Sequence, residues 1–293
     1  MKLPPFEYAC PTTVAEAVAL LAGHDGEAKP LAGGQSLVPM LAFRIASPSL
    51  LIDLRKLTAL REIKVAQDGV TLGAMVRWRD ILEDARLRVA HPLLVAAIEH
   101  VAHYQIRNRG TVGGSLAHAD PAAELPGIVV TCEATIAVTG ETGARVIDAA
   151  DFFRGPLMTA LRPDEIITAI HFPAWPARRR FGFAEFARRR GDFALAAAAL
   201  FYDEDGEGKA CNVHVGAIGV ADRPLRLTAV EHVLNGSTID DATIAAAEAA
   251  AATAVDPPDD IHAGGAYRKT LIGVMVERAL RSTTASSPKV KVM

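Results

Sequence analysis

Two glycine-rich stretches carry most of the information in this sequence: Leu31-Ala32-Gly33-Gly34-Gln35-Ser36-Leu37 and Arg109-Gly110-Thr111-Val112-Gly113-Gly114-Ser115-Leu116. Each contains a glycine pair followed, at once or after one residue, by a serine. Glycine reaches positive φ and lets a phosphate approach the main chain, while successive N–H groups and the serine hydroxyl can donate hydrogen bonds. Either stretch alone would more often be a tight turn. Together they favour a diphosphate-binding site.

The chain lacks the common nucleotide-binding fingerprints. It has neither the Gly-x-Gly-x-x-Gly of a Rossmann fold nor the Gly-Lys-Ser/Thr of a P-loop at these stretches. A net charge of -3 over 293 residues argues against a nucleic-acid partner. The start has no apolar signal region, and the longest apolar run, 193–202, is about half of the roughly 20 residues that a membrane span needs. We therefore expect no membrane span and a cytoplasmic location.

The residue types that bind metals or perform covalent chemistry are scattered. Cys10, Cys132 and Cys211 are far apart, which argues against a disulfide framework, a zinc ribbon or an iron–sulfur cluster in this chain. His100 and His103 lie three apart on a predicted helix, but no third ligand is visible nearby. No catalytic acid, base or nucleophile stands out. We predict no metal site and no catalytic residue.

Periodicity and turn signals predict alternating helices and strands. A capping box at Thr13 and Glu16 starts the first helix, and Gln67-Asp68-Gly69 joins a hairpin. The basic run Arg178-Arg179-Arg180, next to two prolines, is interpreted as a solvated linker. The predicted strands are 30–32, 50–54, 63–65, 70–72, 181–186, 195–202 and 211–220. The predicted helices begin near Val14 and cover 78–87, 92–103, 121–132, 225–234, 241–255 and 267–280.

Several further segments, read together with the two glycine stretches, resemble one known family. They are Leu116-Ala117-His118-Ala119-Asp120-Pro121-Ala122-Ala123-Glu124-Leu125-Pro126, Phe6-Glu7-Tyr8, Ile52-Asp53-Leu54, Arg188-Arg189-Arg190-Gly191-Asp192-Phe193-Ala194 and Tyr267-Arg268-Lys269-Thr270-Leu271. The chain resembles, over nearly its whole length, the FAD-binding medium subunits of molybdenum hydroxylases. These enzymes include aerobic carbon monoxide dehydrogenase, quinoline oxidoreductase, nicotine dehydrogenase and xanthine dehydrogenase.

The resemblance implies an α+β fold. A two-lobed, PCMH-type FAD-binding domain would cover 1–175, with lobes of about 1–57 and 58–175. A smaller α/β domain of a three-stranded sheet and helices would follow at 176–285. Residues 286–293 would form a flexible tail.

The same resemblance implies the site residues. Segments 32–36 and 111–115 would wrap the diphosphate and the ribityl chain, and Glu124 would accept hydrogen bonds from ribityl hydroxyls, unless it is an ordinary first-turn acid. Ile166 and Ile167 would pack near the flavin ring or simply belong to a core strand, and His118 would contact the flavin or be a polar loop residue. The implied cofactor-binding residues are Ala32, Gly33, Gly34, Gln35, Ser36, Leu37, Ala102, Ile106, Gly110, Thr111, Gly113, Gly114, Ser115, His118, Glu124, Ile166 and Ile167.

One position departs from the family pattern. Many members carry a lysine just before an aromatic residue, where it can approach the pyrimidine edge of the flavin. This chain has Glu185 before Phe186. An ionised glutamate cannot stabilise negative charge on reduced flavin as a cation would.

The implied function is electron transfer through FAD. The partners would be a small subunit with 2Fe–2S clusters and a large subunit with the molybdopterin cofactor, assembled as a dimer of heterotrimers. Local resemblance to the quinoline enzyme suggests an N-heteroaromatic substrate. Two alternatives remain open at this point: a self-sufficient flavoprotein oxidoreductase, and a non-redox nucleotide-binding module.

Overall fold

A three-stranded parallel sheet, in the order β1-β3-β2, begins the chain in the computed structural model, which describes residues 2–284. Helix α1 starts at the predicted capping box: the Glu16 N–H donates to Thr13 Oγ1 at 3.2 Å, and the Glu16 carboxylate accepts from the Thr13 N–H. The elements of this part are β1 (Glu7–Ala9), α1 (Val14–Ala22), β2 (Ala28–Leu31), α2 (Leu37–Ala42), β3 (Leu50–Asp53) and two 3₁₀ turns, Leu54–Lys56 and Thr58–Arg61.

A five-stranded antiparallel sheet, in the order β4-β5-β10-β6-β7, forms the centre of the molecule. The predicted hairpin is confirmed as β4 and β5, and helices pack on this sheet around fully buried side chains such as Phe152 and Phe172. The elements are β4 (Ile63–Ala66), β5 (Gly69–Gly73), α3 (Trp78–Glu83), α4 (Ala85–Ala90), α5 (Pro92–Ile98), α6 (Tyr104–Arg107), α7 (Val112–His118), α8 (Glu124–Thr131), β6 (Thr135–Gly140), β7 (Gly143–Asp148), α9 (Ala149–Phe152), β8 (Phe153–Gly155), β9 (Met158–Thr159) and β10 (Ile166–Pro173).

Two of the helix predictions in this part are wrong. The helix predicted over 78–87 is interrupted at Asp84, whose extended backbone (ψ 102) and carboxylate cap α4. The helix predicted over 92–103 ends at Ile98, and Ala102 has a φ of 44. His100 and His103 are therefore not on one helix. The capping side chain of Asp84 ends the first helix, and the left-handed backbone of Ala102 is incompatible with a helix that continues to 103.

The last part is a four-stranded antiparallel sheet, in the order β11-β12-β13-β14, covered by three helices. The predicted three-stranded sheet is wrong, because the sheet has a fourth strand. Leu225 and Arg226 form it by pairing with β13, instead of starting a helix. Two residues are too few to show strand alternation, so this strand could not be predicted from local pattern. The elements are β11 (Arg180–Phe186), β12 (Ala196–Glu204), β13 (Ala210–Ile218), β14 (Leu225–Arg226), α10 (Thr228–Leu234), α11 (Asp241–Thr253) and α12 (Gly265–Thr284). The predicted tail, 286–293, lies outside the described residues.

The basic connector is not a solvated linker throughout. The Arg179 guanidinium donates to both oxygens of Asp203, at 3.0 and 2.8 Å, and lies 4.4 Å from the centre of the Phe201 ring. Its side chain is only 12 % exposed. Arg178 alone matches the solvated description, since its neighbour Arg180 pairs with Glu204.

Helix α8 joins the central and last parts. All eight of its residues are buried, and it packs against β12 and β13. Two glycines allow this close approach: a Cβ on Gly127 would collide with Ile218, and one on Gly216 would collide with Thr131. The first residue of α8, Glu124, is therefore held deep between the two parts. Within the described range, no helix combines the length and apolar character that crossing a membrane requires.

Candidate functional site

The fold brings the two glycine stretches into contact. A Cβ on Gly33 would collide with the Arg109 carbonyl and with Gly110, and a Cβ on Gly114 would lie 3.6 Å from the Ala32 Cβ. The sequence separates these stretches by more than 70 residues, so their contact is a result of the fold. The main chains of the two stretches therefore lie side by side.

The first stretch has the properties expected of an anion site. Among residues 2–284, the backbone N–H groups of Gly33, Gly34, Gln35 and Ser36 donate no hydrogen bond to the protein. Gly34 has a φ of +71, and the Gln35 amide donates to the Gly33 carbonyl at 3.0 Å, which fixes the turn. Four unengaged, half-buried N–H groups in succession are the kind of donor set that suits a diphosphate.

The second stretch differs from the prediction, because residues 112–118 form helix α7 rather than a loop. Its first N–H groups are already used: Val112 donates to the Val76 carbonyl at 3.0 Å, Gly113 to the Ala74 carbonyl at 2.9 Å, and Gly114 to Thr111 Oγ1 at 3.2 Å. These glycines are needed for packing and not for positive φ, since a Cβ on Gly113 would lie 2.6 Å from the Ala74 Cβ. The idea of two donor nests is therefore wrong for this stretch. Residues 110–115 instead contribute main chain without bulky side chains at the glycines, together with the half-buried Ser115 hydroxyl.

Glu124 is a buried acid at the start of α8. It is 5 % exposed, and no Lys or Arg of the described chain forms an ion pair with it. Burial raises the pKa of Glu124 to about 8, with further contributions from the negative charges of Glu185 and Asp120. A carboxyl in this setting is an acid that can donate or accept a hydrogen bond.

Glu185, His100 and the loop after β11 line a cavity of about 300 Å³. Glu185 Oε1 lies 3.7 Å from His100 Nδ1, and Gly191 packs against the His103 ring and the Ala102 carbonyl. The loop therefore covers the turn that contains Ala102. Sequence reasoning missed the contact between His100 and Glu185, because no local pattern links a helix end to a strand 85 residues later.

The other predicted site residues lie in different parts of the fold and differ in burial. Ala102 is half-buried and lies next to Gly191 of the loop that lines this cavity. Ile106 is half-buried in α6. Ile166 and Ile167 are buried neighbours on β10 that join two different cores, so their side chains face opposite sides of the sheet. His118 is the last residue of α7, roughly 9 Å along the helix from its start. Leu37 is the first residue of α2.

Two domain models match the chain. The model described as the FAD binding domain in molybdopterin dehydrogenase matches residues 4–175, and that of the CO dehydrogenase flavoprotein C-terminal domain matches residues 181–283. The nicotine 6-hydroxylase medium subunit of Paenarthrobacter nicotinovorans is 38 % identical over 96 % of this chain and 98 % of that protein.

Solved structures agree with these matches. A carbon monoxide dehydrogenase from Hydrogenophaga pseudoflava, which lacks the Mo-pyranopterin moiety, has a TM-score of 0.94 and 36 % identity, covering 97 % of this chain and 99 % of that one. Quinoline 2-oxidoreductase from Pseudomonas putida 86 has a TM-score of 0.92, the same identity and the same coverage. This chain belongs to the FAD-binding medium subunits of molybdenum hydroxylases. The resemblance noted in the sequence is thus confirmed, and the mixed α+β fold with it.

As a medium subunit, the chain is an FAD-dependent oxidoreductase component of a multi-subunit complex. Its own residues fit that cofactor: four successive N–H groups at 33–36 that donate to no protein group and suit an anion, glycines at which a Cβ would collide with neighbouring main chain, and the buried acid Glu124. The residues 2–284 contain no group of three or more His, Cys, Asp or Glu arranged to hold a metal ion.

Proposed function

We propose that this chain carries FAD between the iron–sulfur clusters of a small partner subunit and an external electron acceptor. The substrate would be oxidised in a large subunit at the molybdopterin cofactor, and electrons would cross two 2Fe–2S clusters before they reach this chain. FAD supplies the ability to exchange electrons singly or in pairs, which suits a junction between one-electron centres and an acceptor.

One observation supports this proposal most strongly. The segment 33–36 has four unengaged N–H groups in succession, and its first residue, Gly33, lies against the main chain of Arg109 and Gly110. A diphosphate is a ligand that both satisfies these donors and requires so close an approach to the backbone. Segments 32–36 and 111–115 would then bind the diphosphate and ribityl chain.

Further residues would hold the rest of the cofactor. Glu124 would exchange hydrogen bonds with ribityl hydroxyls, and Ala102 and Ile106 would pack beside the flavin. Ile166 and Ile167 face opposite sides of β10, so we assign a flavin contact to one of them at most. His118, at the far end of α7 from Thr111, would contact the flavin only through its side chain.

The assembly would be a dimer of heterotrimers that acts on an N-heteroaromatic substrate. The support is that two similar proteins are named for nicotine and for quinoline. A self-sufficient flavoprotein and a non-redox nucleotide-binding module are not favoured, because the similar proteins are subunits of larger dehydrogenases.

Purification of the native assembly through a tag on this chain tests the proposal. We expect two further subunits to be retained, with FAD, iron and molybdenum in fixed ratios, and a mass that corresponds to two copies of each subunit. Retention of FAD without iron or molybdenum in every preparation would contradict the proposed partners. A FAD-free assembly that contains both metals would contradict the assignment of FAD to this chain.

A further inference from the structure

Two surface segments meet beside the second glycine stretch. They are 103–110, which contains α6, and 187–193, which follows β11. A Cβ on Gly191 would lie 2.8 Å from the Ala102 carbonyl oxygen, and the Arg107 guanidinium donates to that same oxygen at 2.9 Å. The two segments therefore form one surface, although they are distant in the sequence. We call it the arginine surface.

The arginine surface carries a high positive charge. Its two segments contain five arginines and one aspartate, a net charge of +4 in a chain whose net charge is -3. The arginines are Arg107, Arg109, Arg188, Arg189 and Arg190. Among residues 2–284, no acidic side chain forms an ion pair with any of these five, and the last four are exposed. Like charges held close together repel, so an anionic partner that covers them is attracted to this surface.

Two exposed aromatic residues belong to the same surface. Tyr104 is 67 % exposed, and Phe193 is 58 % exposed. Arginine and large aromatic residues are the types enriched at protein–protein interfaces, and they supply most of the binding free energy there. An inorganic anion would pair with the arginines but leave both rings in water. The combination of residues therefore favours a protein partner with an acidic face.

The cavity at the edge of this surface does not suit an anionic small molecule. It has a volume of about 300 Å³ and is lined by Arg189 and Arg190, but also by Glu99 and Glu185. Oε2 of Glu185 is buried and has no hydrogen-bond partner among residues 2–284. A phosphate in the cavity would meet this uncompensated carboxylate, which repels it. The arginines are better matched by an acidic surface that lies across them than by a phosphate that enters the cavity.

The arginine surface also adjoins the unengaged N–H groups of the first glycine stretch. A Cβ on Gly33 would collide with the Arg109 carbonyl and with Gly110. Arg109 is thus part of the positive surface through its side chain and part of the proposed diphosphate site through its main chain. A protein that docks on this surface would lie next to the segment that binds the cofactor.

We propose that the arginine surface docks the external electron acceptor, and that this acceptor is a protein with an acidic face. The proposal rests on the function proposed above and adds the chemistry of the acceptor. Two acceptor molecules, each taking one electron, would return the doubly reduced flavin to its oxidised state, and two protons would leave to solvent.

The composition of the surface indicates a transient contact. Permanent subunit interfaces are mostly apolar, and charged residues are depleted at their centres. Unpaired cations instead accelerate the encounter with an acidic partner and give a contact that weakens as the ionic strength rises. An electron carrier that must leave after each transfer requires a contact of this kind.

The rate of cytochrome c reduction by the purified assembly tests the proposal. Two probes share one haem and one fold: native cytochrome c, which is basic, and cytochrome c with succinylated lysines, which is acidic. The assembly is first reduced anaerobically with dithionite, and the excess is removed. At low ionic strength we expect the acidic probe to be reduced about tenfold faster than the native one. The difference should disappear near 1 M salt, where the Debye length is only about 3 Å.

Neutralising the exposed loop should remove this preference. The triple variant Arg188→Gln, Arg189→Gln and Arg190→Gln removes three charges and leaves both glycine stretches unchanged. We expect it to reduce the acidic probe about tenfold more slowly at low ionic strength, with a weaker dependence on salt. Reduction of a small uncharged quinone should keep its rate, because the quinone needs FAD but no docking surface.

The matched control removes three exposed cations from other parts of the fold. It combines Lys64→Gln, Arg178→Gln and Arg223→Gln, none of which has an ion pair among residues 2–284. The net charge of the chain changes by the same amount as in the loop variant. We expect the control to reduce both cytochrome probes and the quinone at the rates of the unmodified assembly.

The outcomes separate this inference from the proposed function. Equal rates with the two cytochrome probes, or equal rates in the loop variant and the control, would overturn the docking surface. Loss of NAD⁺ reduction in the loop variant, with the acidic probe unaffected, would overturn it in favour of a nucleotide. Loss of the iron–sulfur subunit during purification of that variant would overturn it in favour of a permanent interface. An unmodified assembly that lacks FAD or cannot reduce the quinone would instead contradict the proposed function.

Discussion

Gly114 is the residue at which a side chain should interfere most directly with FAD. A Cβ there would lie 2.8 Å from Thr111 Oγ1, the group that caps α7, and would project towards Ala32 across the line where the two glycine stretches meet. We expect Gly114→Val to lose most of its bound FAD. Gly206→Val is the control, since nothing lies within 4 Å of a Cβ at Gly206. The measurement is the ratio of flavin absorbance to protein; a full complement of FAD in well-folded Gly114→Val would exclude this edge from the site.

Glu124 should make the stability of the FAD-free chain dependent on pH. Its pKa is raised from 4.5 to about 8, so the folded chain retains a proton that the unfolded chain releases between these values. The free energy of unfolding should therefore fall as the pH rises through this window, by up to about 5 kcal/mol. Urea unfolding at several pH values measures the slope. Glu124→Gln should flatten it and Glu99→Gln should not; equal slopes in all three proteins would show that Glu124 is an ordinary exposed acid.

At the scale of an element, the connector 173–180 is held by one side chain. Arg179 pairs with Asp203 through two hydrogen bonds and stacks on Phe201, with Trp175 on the same cation at 5.2 Å. We expect Arg179→Ala to lower the free energy of unfolding by about 2 kcal/mol, because it removes both interactions and leaves the Asp203 carboxylate with the Asn212 amide but without a cation. Arg178→Ala, one residue earlier and exposed, should change it by less than about 0.5 kcal/mol. If both substitutions changed the free energy of unfolding equally, Arg179 would be as solvated as Arg178.

The elements also show what local sequence can predict. The capping box of α1, the β4–β5 hairpin and the long strands β11 to β13 follow from local chemistry and were predicted to within a few residues. The second glycine stretch was not predicted as a helix, because glycine is a poor helix former. The structure places Gly113 and Gly114 in a helix because only residues without a side chain fit against Ala74 and Thr111. Tertiary packing overrides propensity here.

At the scale of the whole molecule, the site is assembled from parts that are distant in sequence. The unengaged N–H groups come from 33–36, and the glycine main chain that lies against this segment comes from 109–114. The Glu124 carboxyl comes from the start of α8 and the Glu185 carboxyl from β11. The family resemblance had already named most of these residues as candidates. It could not indicate that Glu185 and Glu124 are buried near each other, because their proximity depends on how α8 packs between the two larger sheets.

We propose that electrons from the partner subunits arrive at FAD held by this chain. Anaerobic rapid mixing of the purified assembly with a reducing N-heteroaromatic substrate measures this directly, with flavin and iron–sulfur absorbance followed separately. We expect the clusters and FAD both to be reduced. An assembly containing Gly114→Val should reduce its clusters but lack the flavin signal and transfer few electrons to the acceptor. Full electron transfer to the acceptor by that FAD-depleted assembly, or FAD that stays oxidised while the clusters are reduced, would contradict it.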